Sequence, residues 1–304
     1  MKKKFYSNGK LLITGEYVVL EGALALALPT KFGQDLVIEY GKNKEIVWKS
    51  YDSDQSVWFE DTISFLDVIH NYKIDKSPER ITLIGILHEA YLLNPTFINN
   101  HEGYCITTNL TFPKFWGLGT SSTLINNIAQ WLAIDAFTLL KNSFGGSGYD
   151  IACAQNDTPI LYQLTNGKPV VKKIHFDPEY TKNLYFVYLN KKQSSKNAIA
   201  AYFKKQKNNL DTILKINAIT DTIIISKNIE KFINEIEKHE TILSEILEIN
   251  TVKEELFSDF NGTVKSLGAW GGDFVMVVSK DNPRSYFNKK GFDTVIAYEN
   301  MILK

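Results

Sequence analysis

Residues 112–123 read FPKFWGLGTSST, with Gly117 and Gly119 two positions apart and Thr120, Ser121 and Ser122 directly behind them. The stretch lies between an apolar, strand-like run and a helix-like one. A strand, a glycine-rich turn and a helix together aim backbone N–H groups and the positive end of a helix dipole at one spot, which attracts phosphate. Glycine lets the main chain approach an anion closely, and the hydroxyls can add donors or a metal contact. The same residues also describe a hydroxyl-capped helix after a tight turn, which needs no ligand. Neither common nucleotide fingerprint is complete, because no GK[ST] follows and only Gly117 and Gly119 have GxGxxG spacing. A second chemical stretch, FGGSGYDIACA at 144–154, sets Asp150 after a Gly/Ser turn and before a helix-like run. An acid there can accept a hydroxyl proton or cap the helix.

The elements that must position these residues follow from periodicity. KLLITG, ALALALP, QDLVIEY, EIVWKS and SVWFED are short runs rich in branched and aromatic residues, which predict a mixed or antiparallel sheet. SPERITLIGILHEAYLLN (77–94) switches to helical spacing, with Ser77 as N-cap, Pro78 at the first helical position and apolar residues at 81, 84, 87, 91 and 92. YCITTNLTF is a further strand leading into the glycine loop. STLINNIAQWLAIDAFTLL is a helix with Leu124, Ile128, Trp131, Leu132 and Leu139 toward a core and a break near Asp135. Strands return in PILYQL, PVVKKIHF and NLYFVYLN, and 194–257 is almost wholly helical. That change in composition puts a domain boundary near 170–185. The tail, GDFVMVVSK to GFDTVIAYEN, reads as two strands around a short helix, so the chain is α+β.

The 304 residues hold 34 basic and 34 acidic side chains. With no net field, nucleic acid and anionic membrane surfaces are not expected partners, and any anion must be held locally. The longest apolar stretch, ALALAL at 23–28, is too short to span a membrane, and no leader is evident, so a cytoplasmic location is expected. Cys105 and Cys153 lie in apolar contexts without CxxC spacing, as buried reduced thiols would. The histidines at 70, 88, 101, 175 and 239 form no metal-binding pair and are expected to be solvated or internally satisfied.

From Pro113 onward the pattern P-x-x-x-G-L-G-[ST]-S resembles the ATP-binding loop of the GHMP kinases, which include galactokinase, homoserine kinase, mevalonate kinase and phosphomevalonate kinase. Two further stretches are similar to that family's other motifs. GKLLITGEYVVLEGALALALPT (9–30) is like the first, and SLGAWGGDFVMVV (266–278) is like the third, with Trp270 where a small residue is usual. The resemblance implies a two-domain GHMP kinase fold. An N-terminal domain like ribosomal protein S5 domain 2 would occupy 1–178, and a C-terminal ferredoxin-like α/β sandwich 179–304. It implies ATP and Mg²⁺ as cofactors, with Trp116, Gly117, Leu118, Gly119, Thr120, Ser121 and Ser122 around the nucleotide and Ser121 at the metal. Asp150, in GSGxD, matches the catalytic aspartate of the mevalonate and phosphomevalonate kinases, and Lys10 the lysine beside it, whose charge would stabilise the transferring phosphoryl group. Glu16, Ser147, Gly148, Ser194, Ser195, Lys196, Gly271, Gly272 and Asp273 join Lys10 at the acceptor. There LNKKQSSKNAI (189–199) offers Lys191 and Lys192 to an acidic substrate or a lysine-rich surface to water. Leu139 stands where mevalonate kinases supply a metal-binding Glu. The implied activity is transfer of the γ-phosphoryl group of ATP to a hydroxyl or phosphate of a small phosphorylated or acidic alcohol, phosphomevalonate first among acceptors, with a homodimer among the assemblies open to the chain. Mevalonate, a sugar, a related decarboxylation or nucleotide binding without turnover are the alternatives, since fold does not choose among them.

Overall fold

The structure, a computed structural model, describes residues 2–72, 77–191, 195–204 and 209–304, and for 195–197 the backbone alone. The chain forms two compact units, one from Met1–Gly9, Phe32–Lys114 and Leu118–Gln155, the other from Lys10–Lys31, Phe115–Gly117 and Asn156–Lys304.

The first unit takes in most of strand β1 (Lys3–Leu12), the second half of the long β2 (Ala25–Tyr40), β3 (Glu45–Tyr51), β4 (Val57–Ser64) and β5 (Gly103–Leu110). Strand order is β4-β3-β5-β2, and β1 pairs with β2. β3 runs parallel to β5 from the Glu45–Gly103 pair, and the other pairings in this order are antiparallel. Alternation sorts the faces: Ile46, Trp48 and Ser50 of β3 are buried, as are Tyr104, Ile106 and Thr108 of β5. Cys105 therefore points the other way and is exposed, which corrects the expectation that both thiols are buried; Cys153 is buried. Helices α1 (Phe65–His70), α2 (Pro78–Leu93), α3 (Thr96–Asn99), α4 (Thr120–Leu132), α5 (Ala136–Ser143) and α6 (Tyr149–Ala154) complete the unit. Leu83, Ile84 and Leu87 of α2, Ile125 and Ile128 of α4, Leu139 of α5 and Ile151 of α6 share one core with the sheet.

In the second unit the start of β2 pairs antiparallel with β6 (Ile160–Thr165), and β6 with β7 (Lys168–Lys173). Then come β8 (Leu184–Tyr188), α7 (Ser195–Lys204), α8 (Leu210–Ile225), α9 (Ile229–Leu247), α10 (Val252–Leu256), β9 (Thr263–Ser266), β10 (Phe274–Val278), α11 (Arg284–Lys289), β11 (Val295–Ala297) and α12 (Tyr298–Met301). The sheet order β11-β8-β10-β9, antiparallel throughout, with helices after β8 and β10, is the ferredoxin-like arrangement. All five residues of β10 are buried, as a central strand covered on both faces requires. No described helix is long and apolar enough to cross a membrane.

Candidate active site

In the second unit, three distant stretches of sequence meet. Lys10, near the end of β1, donates from its ammonium to the Gly117 carbonyl at 2.9 Å. Gly117 sits at φ 69°, and a Cβ there would come within 2.3–2.7 Å of the carboxyl atoms of Asp273. Any side chain at 117 would have to displace that carboxyl and hold a left-handed backbone. Asp273 is itself pinned by its backbone, its N–H donating to the Lys191 carbonyl at 2.6 Å and its carbonyl accepting from the Leu189 N–H at 2.8 Å. Trp116 packs edge-on against Phe274, ring centroids 5.4 Å apart, and the Tyr188 hydroxyl donates to the Phe115 carbonyl at 3.1 Å. Thus one residue from each of the three motifs takes part in a single contact group. Gly271 and Gly272 lie in the same turn as Asp273, and Trp270 is buried there, its N–H donating to the Tyr17 hydroxyl at 3.1 Å.

In the first unit the chain continues from Leu118 into α4. Gly119, at φ 103°, is the N-cap of α4, and no side chain caps this helix. The first-turn N–H groups are thereby left to a ligand or to water. Thr120 Oγ1 is shielded from solvent and has no hydrogen-bond partner among the described residues. Ser122, at 2% exposure, turns its hydroxyl back to the Gly119 carbonyl at 2.9 Å, which takes it out of the loop's free donors. Ser121 is partly buried on the same turn, and Leu118 is fully buried and anchors the loop.

Gly148 is the N-cap of α6, so Asp150 is not the capping residue; it lies in the first turn, with the Ile151 N–H donating to its Oδ1 at 3.0 Å. Ser147 precedes it, partly buried. The end of α6 is tied to α4 where Gln155 Nε2 donates to Asn126 Oδ1 at 3.0 Å. Glu16 is 1% exposed and is turned inward, with Lys265 Nζ donating to its Oε1 at 2.6 Å. Ser194 lies outside the described residues, and Ser195 and Lys196 open α7, their side chains undescribed.

Sequence reasoning passed over Lys265 and Glu240 and left His239 among the solvated or internally satisfied histidines; all three join Glu16 in the interior of the second unit. A signal was present: α9 buries Phe232, Ile236, Leu243 and Leu247, and that helical stripe runs through 239 and 240. Burial, partly opposed by Lys265, raises the Glu16 carboxyl, and the same balance pushes Glu240 up to about 7. Burial first and Lys265 second hold His239 well below its ordinary range. His239 and Glu16, 3.3 Å apart, are accordingly not an ion pair: the imidazole is neutral and its Nε2 accepts the Gly15 N–H at 2.9 Å.

No protein-family model and no curated protein matches the sequence. Solved structures do match. The Methanococcus jannaschii mevalonate kinase aligns at a TM-score of 0.71 with 17% identity, over 100% of this chain and 99% of that one. The Streptococcus pneumoniae phosphomevalonate kinase, solved with phosphomevalonate and AMPPNP, aligns at 0.68 with 16% identity, over 100% and 98%. The Lactococcus lactis galactokinase with galactose aligns at 0.69 with 14% identity, over 95% and 88%. With strand order, motif contacts and end-to-end alignment in agreement, the chain has the fold of the GHMP kinases.

Proposed function

We propose that the protein is an ATP-dependent small-molecule kinase. One observation carries the reading: α4 begins without a cap, behind two glycines in left-handed backbone, and its Thr120 hydroxyl is shielded yet unpartnered among the described residues. A buried donor without a partner is costly, and a phosphate oxygen would satisfy it together with the first-turn N–H groups. Lys10, bonded to the Gly117 carbonyl, would hold the loop in that conformation and lend it positive charge.

For Mg²⁺ the fit rests on few ligands. Among the described residues no three His, Cys, Asp or Glu side chains are arranged to hold a metal ion, so Ser121 would be the protein's contact and phosphate oxygens and water would supply the rest, as this ion tolerates. When bound it would neutralise charge on the β- and γ-phosphates. In the transfer itself, the acceptor oxygen bonds to the γ-phosphorus while the bond to the β–γ bridging oxygen breaks and ADP leaves. Where the acceptor is a hydroxyl, Asp150 takes its proton or orients it; where it is the oxygen of a phosphate monoester, largely ionised near pH 7, no proton need be taken; in either case Lys10 stabilises the moving charge.

The acceptor we propose is a phosphorylated or acidic alcohol, phosphomevalonate first. The likeness to a phosphomevalonate kinase supports this, as do the lysines at 191, 192 and 196. Domain limits of 1–178 and 179–304 belong to the same proposal. The test is ATP consumption with mevalonate, phosphomevalonate, galactose, homoserine and a heptose phosphate in turn. One acceptor should stand out by orders of magnitude in kcat/KM. A purified protein with no nucleotide affinity would overturn the reading.

A further inference from the structure

Four ionisable side chains meet inside the second unit almost out of reach of water: Glu16 at 1% exposure, His239 and Lys265 at 0%, and Glu240 at 4%. They arrive from the turn after β1, from α9 and from β9. The Lys265 ammonium lies 2.6 Å from Glu16 Oε1 and 3.5 Å from Glu240 Oε1, and donates to the Ser266 carbonyl at 2.8 Å. Glu240 Oε2 accepts both the N–H and the hydroxyl of Ser266 at 3.1 Å. His239 Nε2 accepts from Gly15, and the Tyr17 hydroxyl two residues on accepts from Trp270. The first-motif turn is thereby fastened to the strand that enters the third-motif loop.

Charge counting adds a condition. One ammonium faces two carboxyl groups, and the imidazole is neutral, held so by burial and then by Lys265, with its Nε2 lone pair engaged by the Gly15 N–H. An uncompensated charge in a dry interior is strongly disfavoured. The cluster is neutral only when the two carboxyls hold one proton between them. Two oxygens are placed to carry it, because Glu16 Oε2 and Glu240 Oε1 are both shielded and lack hydrogen-bond partners among the described residues. The neighbouring α8 buries Ile216, Ile219, Thr220 and Ile223, none of which titrates, and Tyr17 next to Glu16 is pushed up by burial and stays neutral.

We propose that Lys265, Glu240 and His239 are positioning residues of the phosphoryl-transfer site, locking the Gly15–Tyr17 turn to the third-motif loop, and that the lock is complete while Glu16 and Glu240 share one proton. The word site rests on the kinase reading above. Through this lock Lys10, five residues before Gly15, and Asp273, at the end of the third-motif loop, are held at Gly117. Without the proton a second carboxylate charge remains against the turn.

The sign of the pH dependence follows. Folded Glu240 titrates at about 7 against an ordinary 4.5. The native state therefore binds the proton more tightly than the unfolded chain, and the stabilisation is full below the ordinary value and lost as pH rises to about 7. Glu240→Gln keeps an acceptor for Ser266, leaves the Lys265–Glu16 pair neutral and removes the titration. Urea unfolding of both proteins from pH 5 to 9 should show the wild-type unfolding constant rising against that of Glu240→Gln by up to about tenfold per pH unit between 5 and 7, then levelling. The KM for ATP should rise severalfold from pH 6 to 8.5 in the wild type and stay flat in the variant. Lys265→Met, which leaves both carboxyls without a cation, should move the stability loss to higher pH and raise that KM roughly tenfold.

Superimposable unfolding profiles of wild type and Glu240→Gln would overturn the shared proton. Separate unfolding profiles with identical KM profiles would overturn the positioning role. Failure of the kinase reading looks different, as no nucleotide binding at any pH; it removes the positioning role, while unfolding alone still decides the proton.

Discussion

At Gly117 the backbone and the neighbouring side chain both exclude a Cβ, and the two demands can be separated by experiment. Gly117→Ala carries the left-handed cost of about 1–2 kcal/mol and also forces the Asp273 carboxyl away. Gly145→Ala carries only the backbone cost, since a Cβ there meets nothing within 4 Å. Nucleotide affinity measured by calorimetry should fall at least tenfold, roughly 1.4 kcal/mol, for the first and change little for the second. Equal effects would remove the Gly117–Asp273 contact from the binding loop. Asp150 offers a test of acceptor chemistry. An alcohol must lose a proton, so Asp150→Asn should cut kcat by roughly 10²–10⁴ with ATP affinity kept. A phosphate monoester acceptor, with a second pKa of about 6, is already ionised near pH 7, and the loss should then be far smaller. Lys10, Gly117 and Asp273 were legible because each lies in a stretch with a family pattern. Lys265 was not, because nothing in TVKSL distinguishes a buried lysine from one whose ammonium reaches water; only the fold supplies its carboxylates.

Elements were read best where local chemistry decides them. Ser77 caps α2, accepting the Arg80 N–H, Pro78 opens it, and Asp135 starts α5 by accepting the Thr138 N–H where a break was expected. The buried face of α2 only partly follows the apolar spacing at 81, 84, 87, 91 and 92. Its core residues include Arg80, Leu83, Ile86 and Ala90 as well as Ile84 and Leu87, whereas Leu92 is 60% exposed. Arg80 can be inside because Asp61 and Asp67 pair with it and the Thr62 carbonyl accepts from it, partners that periodicity does not reveal. A comparable polar network supports α4. Ser7 donates to Asn127 Oδ1 and accepts from Asn126 Nδ2, Asn127 Nδ2 donates to the Gln34 carbonyl, and Thr123 Oγ1 donates to Gln34 Oε1. All five side chains are buried at 1% exposure or less. Ser7→Ala strands one donor and one acceptor, which should cost about 2–6 kcal/mol in urea unfolding at about 1–3 per group. Because Asn126 also accepts from Gln155 at the end of α6, kcat should fall more than ATP affinity. An unchanged midpoint would mean water replaces the hydroxyl.

For the molecule as a whole, the ferredoxin-like order β11-β8-β10-β9 was available only through the family resemblance, because pairing across eighty or more residues leaves no local trace in β8 or β10. The two cysteines show the same limit and turn it into a measurement. Both lie in apolar stretches, but the pleat of β5 exposes Cys105, whereas Cys153 is enclosed in α6 three residues after Asp150. A thiol reagent should therefore modify one cysteine quickly in the native protein and the second only through opening of the fold. A ligand that binds only the folded chain suppresses opening by 1 + [L]/Kd, so ATP at a hundred times its Kd should slow Cys153 labelling about a hundredfold where opening equilibrates before reaction, and leave Cys105 unaffected. Two fast thiols would show that α6 opens without unfolding. A slow second thiol indifferent to ATP would mean that the nucleotide does not stabilise the fold that carries Asp150.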